Sequence, residues 1–420
     1  MTKLNILVTL FFLWAYHSLD AQIVTIPDAN FKAALVANTS INTNGDTEIQ
    51  VSEAAAFSGI IDVNSKSISD LTGIEAFTTL TQLNCRSNQL TNLNISNNTA
   101  LTYLTCYSNQ LDSLNISNNT ALTYLKCHSN QLDSLNISNN TALTNLQCNN
   151  NQLTSLNVSN NTALILLRCD DNQLTNLNIA NNTALNILNC GGNPLTNLNV
   201  ANNTTLFTLI CDNNQLTSLD VSNNTTLTRL DCYSNQLTSL DLSNNTDLIK
   251  LWCHFNPLGN LDLSNHTALT SLSCNSTQLT SLNVKNGNNT NFTYFSATSN
   301  PNLTCIQVDD PTYSTTNWTN KDATATYSTA CLTNVERVAN KAIEITAFPN
   351  PTQGAFSIQL DKSYSEVSVQ VYNTTGKQVF AQNYTSAQYL ELDLDEAATG
   401  MYMVKVQTAD GDAVLKVLKD

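Results

Sequence analysis

The sequence predicts a repeat solenoid built around a parallel β-sheet, with a small helical N-terminal cap and a C-terminal antiparallel β-sandwich. Three observations predict it. A stretch of 21 residues recurs almost unchanged ten times between Leu80 and about Gly287. Cysteine returns in step with it, from Cys85 and Cys106 through to Cys274. After residue 345 the repeat gives way to segments of alternating apolar and polar residues such as Val367-Ser-Val369-Gln-Val371. A fixed period of this size means one supersecondary unit stacked on copies of itself, which offers a long surface rather than a catalytic pocket.

Within the first full copy, Leu83 and Cys85 alternate with polar neighbours, which points both inward from a short strand. Leu90, Leu93 and Ile95 supply the other wall of the same coil. One coil exposes this apolar set, and stacking at ~4.8 Å buries it between neighbours, giving an array on the order of 50 Å long. A ladder of asparagines, Asn88, Asn109, Asn130, Asn151, Asn172, Asn193, Asn214, Asn235 and Asn256, falls where the strand must turn. Each amide is expected to bond backbone groups of its own coil and the next. The tenth copy has Thr277 instead, so the ladder is expected to end there. Ile61, Val63, Ile68 and Leu71 fit a first coil with Lys66 at the ladder position; Phe292, Phe295, Ala297, Asn300 and Leu303 fit a degenerate last one. The spacing L-x-x-L-x-C-x-x-N-x-L-x-x-L-x-I resembles the leucine-rich repeat, with cysteine at one aliphatic position, and implies a horseshoe-shaped solenoid over residues 59–300.

Residues 1–21 read as a secretory signal: Lys3 gives the positive start, Leu4 to Ala15 is largely apolar, and Ala21 precedes the cut. The apolar run is too short for a membrane span, and no other stretch approaches one. A net charge of -15 argues against nucleic acid or an anionic membrane as partner. Of the 12 cysteines, ten share one inward position and read as a buried column of small hydrophobes, since stacked parallel side chains suit a disulfide poorly. A metal stack is the alternative, but no second ligand type shares that face. Cys305 and Cys331 break the period and are expected to pair, pinning a C-terminal cap over residues 301–332.

Residues 22–58 form the N-terminal cap. Phe31, Ala34 and Leu35 have helical spacing after Pro27-Asp28, and Ser52 is a candidate cap for a second helix through Phe57. Between them, Asn42 to Glu53 resembles the twelve-residue calcium loop of EF-hand and dockerin sequences, with Asn42, Asn44, Asp46, the Glu48 carbonyl and Glu53 at the ligand positions. Asn42 is neutral where a carboxylate is usual, and Thr47 replaces the turn glycine, so any calcium binding is expected to be weak and a relic loop is the competing reading.

Residues 333–345 read as a linker. Beyond them, Phe348-Pro349-Asn350-Pro351, Gly354, the turn Asn373-Thr-Thr-Gly376 and the strand Gly400-Met-Tyr402 precede Val414-Leu-Lys416-Val-Leu-Lys419-Asp420. The order of these motifs in 346–420 resembles the C-terminal sorting domain of the type IX secretion system of Bacteroidetes. The resemblance implies contact with that machinery, export across the outer membrane, and release or surface attachment.

Catalytic chemistry finds no support. His128 and His254 directly follow Cys127 and Cys253, and adjacent strand residues face opposite sides, so thiol and imidazole cannot form a dyad. His266 is expected to sit alone in a loop. The repeated N-x-T triplets belong to the repeat itself. Binding is the stronger reading. The outward strand positions vary from copy to copy, as in Gln82/Asn84/Arg86, Tyr103/Thr105/Tyr107 and Lys250/Trp252/His254, whereas the opposite wall stays polar with Asn92, Asn94, Ser113 and Asn115. Two aromatic clusters stand out, Tyr103, Tyr107, Tyr124 and His128, and Tyr233, Trp252 and His254 with Phe255 nearby. Leu166, Ile187 and Ile210 form an apolar stripe between them. These features predict a non-enzymatic exported protein that recognises a protein or glycan on the outward sheet face. A self-associating surface or matrix component is the alternative.

Overall fold

The structure, a computed structural model, describes residues 22–331 and 343–420. Residues 1–21, expected to be a secretory signal, and nearly all of the expected 333–345 linker therefore lie outside the described residues. The chain divides into two compact units, the first ending at Cys331.

In the first unit, successive coils lay three-residue strands side by side. Among the described residues they form a 12-stranded parallel sheet running from Ile60–Asp62 to Tyr294–Ser296. Register follows the sequence period, so Leu83 lies beside Leu104 and Leu104 beside Leu125. Each strand between the two ends buries its central leucine and half-exposes its first residue, and the end strands bury Ile61 and Phe295 instead. Leu83, Cys85, Leu90 and Ile95 are fully buried, and their counterparts merge into one continuous core from Val24 to Ala325. All ten in-period thiols are free and buried, as a column of small hydrophobes requires.

The asparagine ladder holds the turn. Asn109 Nδ2 donates to Cys106 O at 2.9 Å in its own coil and to Cys85 O at 3.1 Å, while its Oδ1 accepts from Leu90 N–H at 3.1 Å. The second coil bonded is thus the preceding one, not the next. Nor does the ladder stop at Thr277. Asn300 resumes it, donating to Ala297 O and Cys274 O at 3.0 Å and accepting from Leu279 N–H at 3.0 Å. The residue before each ladder asparagine is left-handed, with φ near +50° to +60° at Ser87, Asn150, Asp171 and Gly192. Small or hydrogen-bonding residues suit that conformation. Phe255, at φ +55°, is the exception.

A second ladder escaped the sequence reading. Asn98, Asn119, Asn140 and their successors to Asn245 are fully buried at the opposite corner of the coil. Asn119 Nδ2 donates to Ile95 O and Asn98 O, each at 2.9 Å. His266 occupies the next rung: it is 2 % exposed, with Nε2 3.2 Å from Leu242 O, so it is a structural residue rather than a solitary loop histidine.

The ends close differently. Helix α1, Ala29–Val36, is capped by Asp28, whose Oδ1 accepts from Asn30 and Phe31 N–H and whose Oδ2 accepts from Ser69 N–H. Helix α2, Val51–Ala56, starts two residues earlier than Ser52 as cap would allow: Gln50 is its N-cap, with Glu53 Oε2 accepting from Gln50 N–H. At the other end the described part of the expected cap, 301–331, continues the stacking as well as capping it. Cys305–Gln307 and Thr326–Ser328 extend a 4-stranded parallel sheet on the opposite wall, and helix α3, Pro311–Asn317, lies between them. Trp318 stacks on Phe295 at 4.3 Å and seals the core, and Cys305 and Cys331 form the expected disulfide.

The second unit is a single antiparallel sheet of five strands, Ile345–Phe348, Ala355–Asn373, Gln378–Asp393, Gly400–Thr408 and Gly411–Lys419. The 19-residue strand shifts register between Gln359 and Tyr364. Its first half pairs with Ile345–Phe348 and its second with Gly400–Thr408, and residues from both halves share one core with Ile343. The sandwich expected from the strand pattern is thus one sheet curled over its own apolar face, and 343–345 belong to it rather than to a linker.

Candidate binding face of the solenoid

The sheet's backbone hydrogen bonds are satisfied between coils, so its outward side chains carry no burden of folding. The structure brings the sequence-predicted aromatics together in columns. Tyr103 stacks on Tyr124 with centroids 4.3 Å apart and planes 10° apart. Four residues further along each coil, just past the strand, Tyr107 stacks on His128 at 4.2 Å. In the later coils Tyr233 stacks on His254 at 4.4 Å, with Trp252 at 6.5 Å from Tyr233 and 6.3 Å from Tyr294. The in-register 21-residue period produces this: identical positions of consecutive coils sit one inter-strand spacing apart, close to the thickness of stacked rings.

Cations cover several of these rings. Arg86 lies over Tyr107 at 5.7 Å, and Lys250 Nζ sits 3.2 Å from the Trp252 ring centroid. Burial holds the His128 and His254 imidazoles below their usual value, the latter despite Asp212 and Asp231, so both rings are neutral near pH 7. Burial and the neighbouring Asp212 carboxylate push the Tyr233 hydroxyl up to about 12.

Between the two aromatic groups the face sinks into a hollow of about 640 Å³. The stripe Leu166, Ile187 and Ile210 lines it, as do Gly191 and Gly192 and the carboxylates Asp170, Asp171, Asp212 and Asp231. The sequence signal for this hollow was the one place where two consecutive glycines interrupt the outward series; the convergence of acids from neighbouring coils was not visible in it.

The cysteines do not belong to this face. Burial pushes the Cys85 and Cys274 thiols up to about 12, and those between them are also raised, which opposes thiolate chemistry. Among the described residues no group of three His, Cys, Asp or Glu side chains is arranged to hold a metal ion. In the Asn42–Glu53 loop, Asn42 Oδ1 accepts from Gly45 N–H and Asp46 Oδ1 accepts from Glu48 N–H at 2.7 Å. Asn44 Nδ2 donates to Asp46 Oδ2 at 2.9 Å, Glu53 Oε1 accepts from Thr43 N–H at 2.7 Å, and the Glu48 carboxylate pairs with Lys32 at 2.6 Å.

In the C-terminal unit, the motif glycine Gly354 (φ +152°) faces Asp395, whose Oδ1 lies 1.6 Å from where a Cβ would be. Lys419, 7 % exposed, donates from Nζ to the carbonyls of Leu394, Asp395 and Ala397 at 2.6–2.9 Å. These contacts tie the last strand to the turn before Gly400.

Residues 346–420 match the family described as the secretion system C-terminal sorting domain. No curated protein matches the sequence. The functional domain of InlJ from Listeria monocytogenes, described as including a cysteine ladder, is similar with a TM-score of 0.62 and 27% identity, covering 95% of this chain and 98% of that one. An internalin, InlF, from the same organism has a TM-score of 0.56 and 22% identity over 73% of this chain and 96% of its own, a likeness of fold. Among the described residues no helix is long and apolar enough to cross a membrane. The chain joins a leucine-rich-repeat solenoid to a type IX sorting domain, and is exported through that system to be secreted or attached at the cell surface.

Proposed function

We propose that this protein is a non-enzymatic recognition protein whose partner is another protein, bound on the outward face of the 12-stranded sheet through Tyr103, Tyr107, Tyr124 and His128 in the early coils and Tyr233, Trp252 and His254 in the later ones. The observation that carries this reading is the stacking of aromatic rings from consecutive coils, 4.2–4.4 Å apart. Stacking fixes the rings before any partner arrives, which lowers the ordering cost of an interface. It also favours a protein over a glycan. Sugars pack on open ring faces, and here ring faces are spent on neighbouring rings, on Arg86 and on Lys250. What remains outward are ring edges and polar tips, which suit protein surfaces.

The Asn42–Glu53 loop is read as metal-independent. Calcium would have to displace the hydrogen bonds that its own carboxylates already accept, so affinity should be no tighter than ~1 mM. Calcium addition is expected to leave the melting temperature unchanged; a rise of several degrees at micromolar calcium would contradict this.

The test of the face compares two variants of the mature chain against one captured partner. Y107A/Y124A/W252A should lose capture while melting as the wild type does; N92A/S113A, on the opposite wall, should retain it. The reverse pattern would refute the sheet face, and concentration-dependent filaments of the isolated protein would favour a self-associating structural role instead.

A further inference from the structure

The hollow at the centre of the sheet face holds more negative charge than its own cations balance. Its charged lining consists of Asp170, Asp171, Asp212 and Asp231 against Arg168 and Arg229. Arg168 pairs with Asp170 at 3.4 Å, and Asp231 is paired through Oδ2 with Arg229 and, at 3.5 Å, with Lys250. Among the described residues no ion pair engages Asp171 or Asp212. Asp212 is only 8 % exposed, and its carboxylate accepts from the Asn213 amide at 2.7 Å. Asp231 is 2 % exposed, and its Oδ1 has no hydrogen-bond partner. That oxygen is enclosed by the protein and meets no donor, so the charge of the hollow is not relieved from within.

The glycine pair explains how the acids come together. Gly192 lies in the coil after Asp171 and Gly191 in the coil before Asp212. A Cβ on Gly192 would fall 2.3 Å from Asp171 Oδ1, and one on Gly191 would fall 2.8 Å from Asp212 Oδ1. Two consecutive missing side chains therefore let carboxylates from both flanking coils lean over the middle one. Leu166, Ile187 and Ile210 supply apolar wall beside them.

We propose that this hollow receives an arginine side chain of the protein partner, its guanidinium bridging Asp171 and Asp212 and its aliphatic stem lying on the apolar stripe. The planar guanidinium offers five donors and can bond two carboxylates at once, which a lysine ammonium on its flexible stem does less well. Its methylenes match the leucine and isoleucine wall. The inference rests on the recognition reading above and names the chemistry of the partner at its centre.

The probe is N-acetyl-arginine methylamide, titrated into the mature chain at low salt by NMR, beside the neutral isostere N-acetyl-citrulline methylamide and the corresponding lysine compound. The variant is D171N/D212N. Its fold is safe because Asn150 and Asn213 already occupy the same left-handed position as Asp171, and Asn149 the same outward position as Asp212. The arginine probe should bind with lysine weaker and citrulline silent, and the double variant should weaken it by about 10-fold or more, as loss of charge-assisted bidentate pairing requires. Equal binding of arginine and citrulline, or no effect of the double variant, would overturn the proposal, as would displacement of the probe by micromolar calcium. Its failure is separable from that of the recognition reading. If the aromatic triple variant loses the partner while the probe never binds, only the arginine site falls. If the probe binds but the aromatic variant keeps the partner, the aromatic contacts fall and the arginine site stands.

Discussion

The two walls of the solenoid are made by the same coils, yet one varies and the other does not. On the opposite wall, Asn94, Asn115 and Asn136 recur because each accepts a hydrogen bond on Oδ1 from the N–H two residues on, at 3.0–3.2 Å, and where asparagine changes it becomes Asp220, Asp241 or Asp262 with the same bond to Ser222, Ser243 or Ser264. The turn at that corner restricts the residue to Asn or Asp. On the sheet wall, inter-coil backbone bonds and the first asparagine ladder satisfy the chain, so Gln82, Tyr103 and Tyr124 answer to no local requirement. Variety on the sheet face is therefore what the fold permits by itself. What supports the proposed recognition role is instead the organisation within that variety: stacked rings, and acids gathered over Gly191 and Gly192.

The comparison can be broken most severely at the first ladder. Asn172→Ala removes the donor to Cys148 O, Cys169 O and Asp170 O and the acceptor for Leu153 N–H, all in buried surroundings. It should cost about 3 kcal/mol or more, read by denaturant unfolding. A smaller contrast separates the walls: Asn115→Ala should destabilise by roughly 1 kcal/mol, as loss of an Asx turn does, while Asn145→Ala on the sheet face should fall within about 0.5 kcal/mol of wild type. Equal costs would remove the distinction between constrained and free walls.

Phe255 sharpens it from the other side. It is 54% exposed in a left-handed conformation that other coils give to Ser, Asn, Asp or Gly, and it stands 5.3 Å from His254. Phe255→Asn should stabilise the solenoid by about 1 kcal/mol by relieving that strain. If Phe255 serves the recognition face, the same change should weaken partner capture; stabilisation with unaltered capture would mark it as drift.

The smallest expected effect is acid sensitivity at the N-terminal cap. Burial alone would raise Asp28 and Glu53, but the hydrogen bonds they accept, from Ser69 and Phe31 and from Gln50, Thr43 and Asn44, outweigh it and hold both below the usual carboxylate range. A depressed folded pKa stabilises above the unfolded value, about 4 for these groups, and that stability is lost as pH falls through the lower folded value. Hydrogen exchange in α1 and α2 should therefore accelerate below about pH 4 before the middle coils respond. Asp28→Asn should flatten the dependence.

How much of this was legible in the sequence follows from how local each cause is. The inward set, the first ladder and the pairing of Cys305 with Cys331 declare themselves through spacing. The second ladder hid in plain repetition, because Asn98 lies in an Asn-Asn-Thr run that reads as an exposed turn, and only the inter-coil bonds to Ile74 O and Phe77 O show it to be interior. His266 shares its register, which is the signal that would have revealed it. Gln50 displaced Ser52 as helix cap because Glu53 reaches back to its N–H, a choice two residues of propensity cannot decide. The hollow required three coils at once, with glycines on one and carboxylates on the two beside it.

The most direct test is oxidative footprinting of the mature chain with and without its captured partner. Binding on the sheet face should protect Tyr107, Tyr124, Trp252 and His254 and leave Tyr313 and Tyr389 unchanged. Protection confined to Tyr313 or the opposite wall, with the sheet aromatics as reactive as in the free protein, would contradict it.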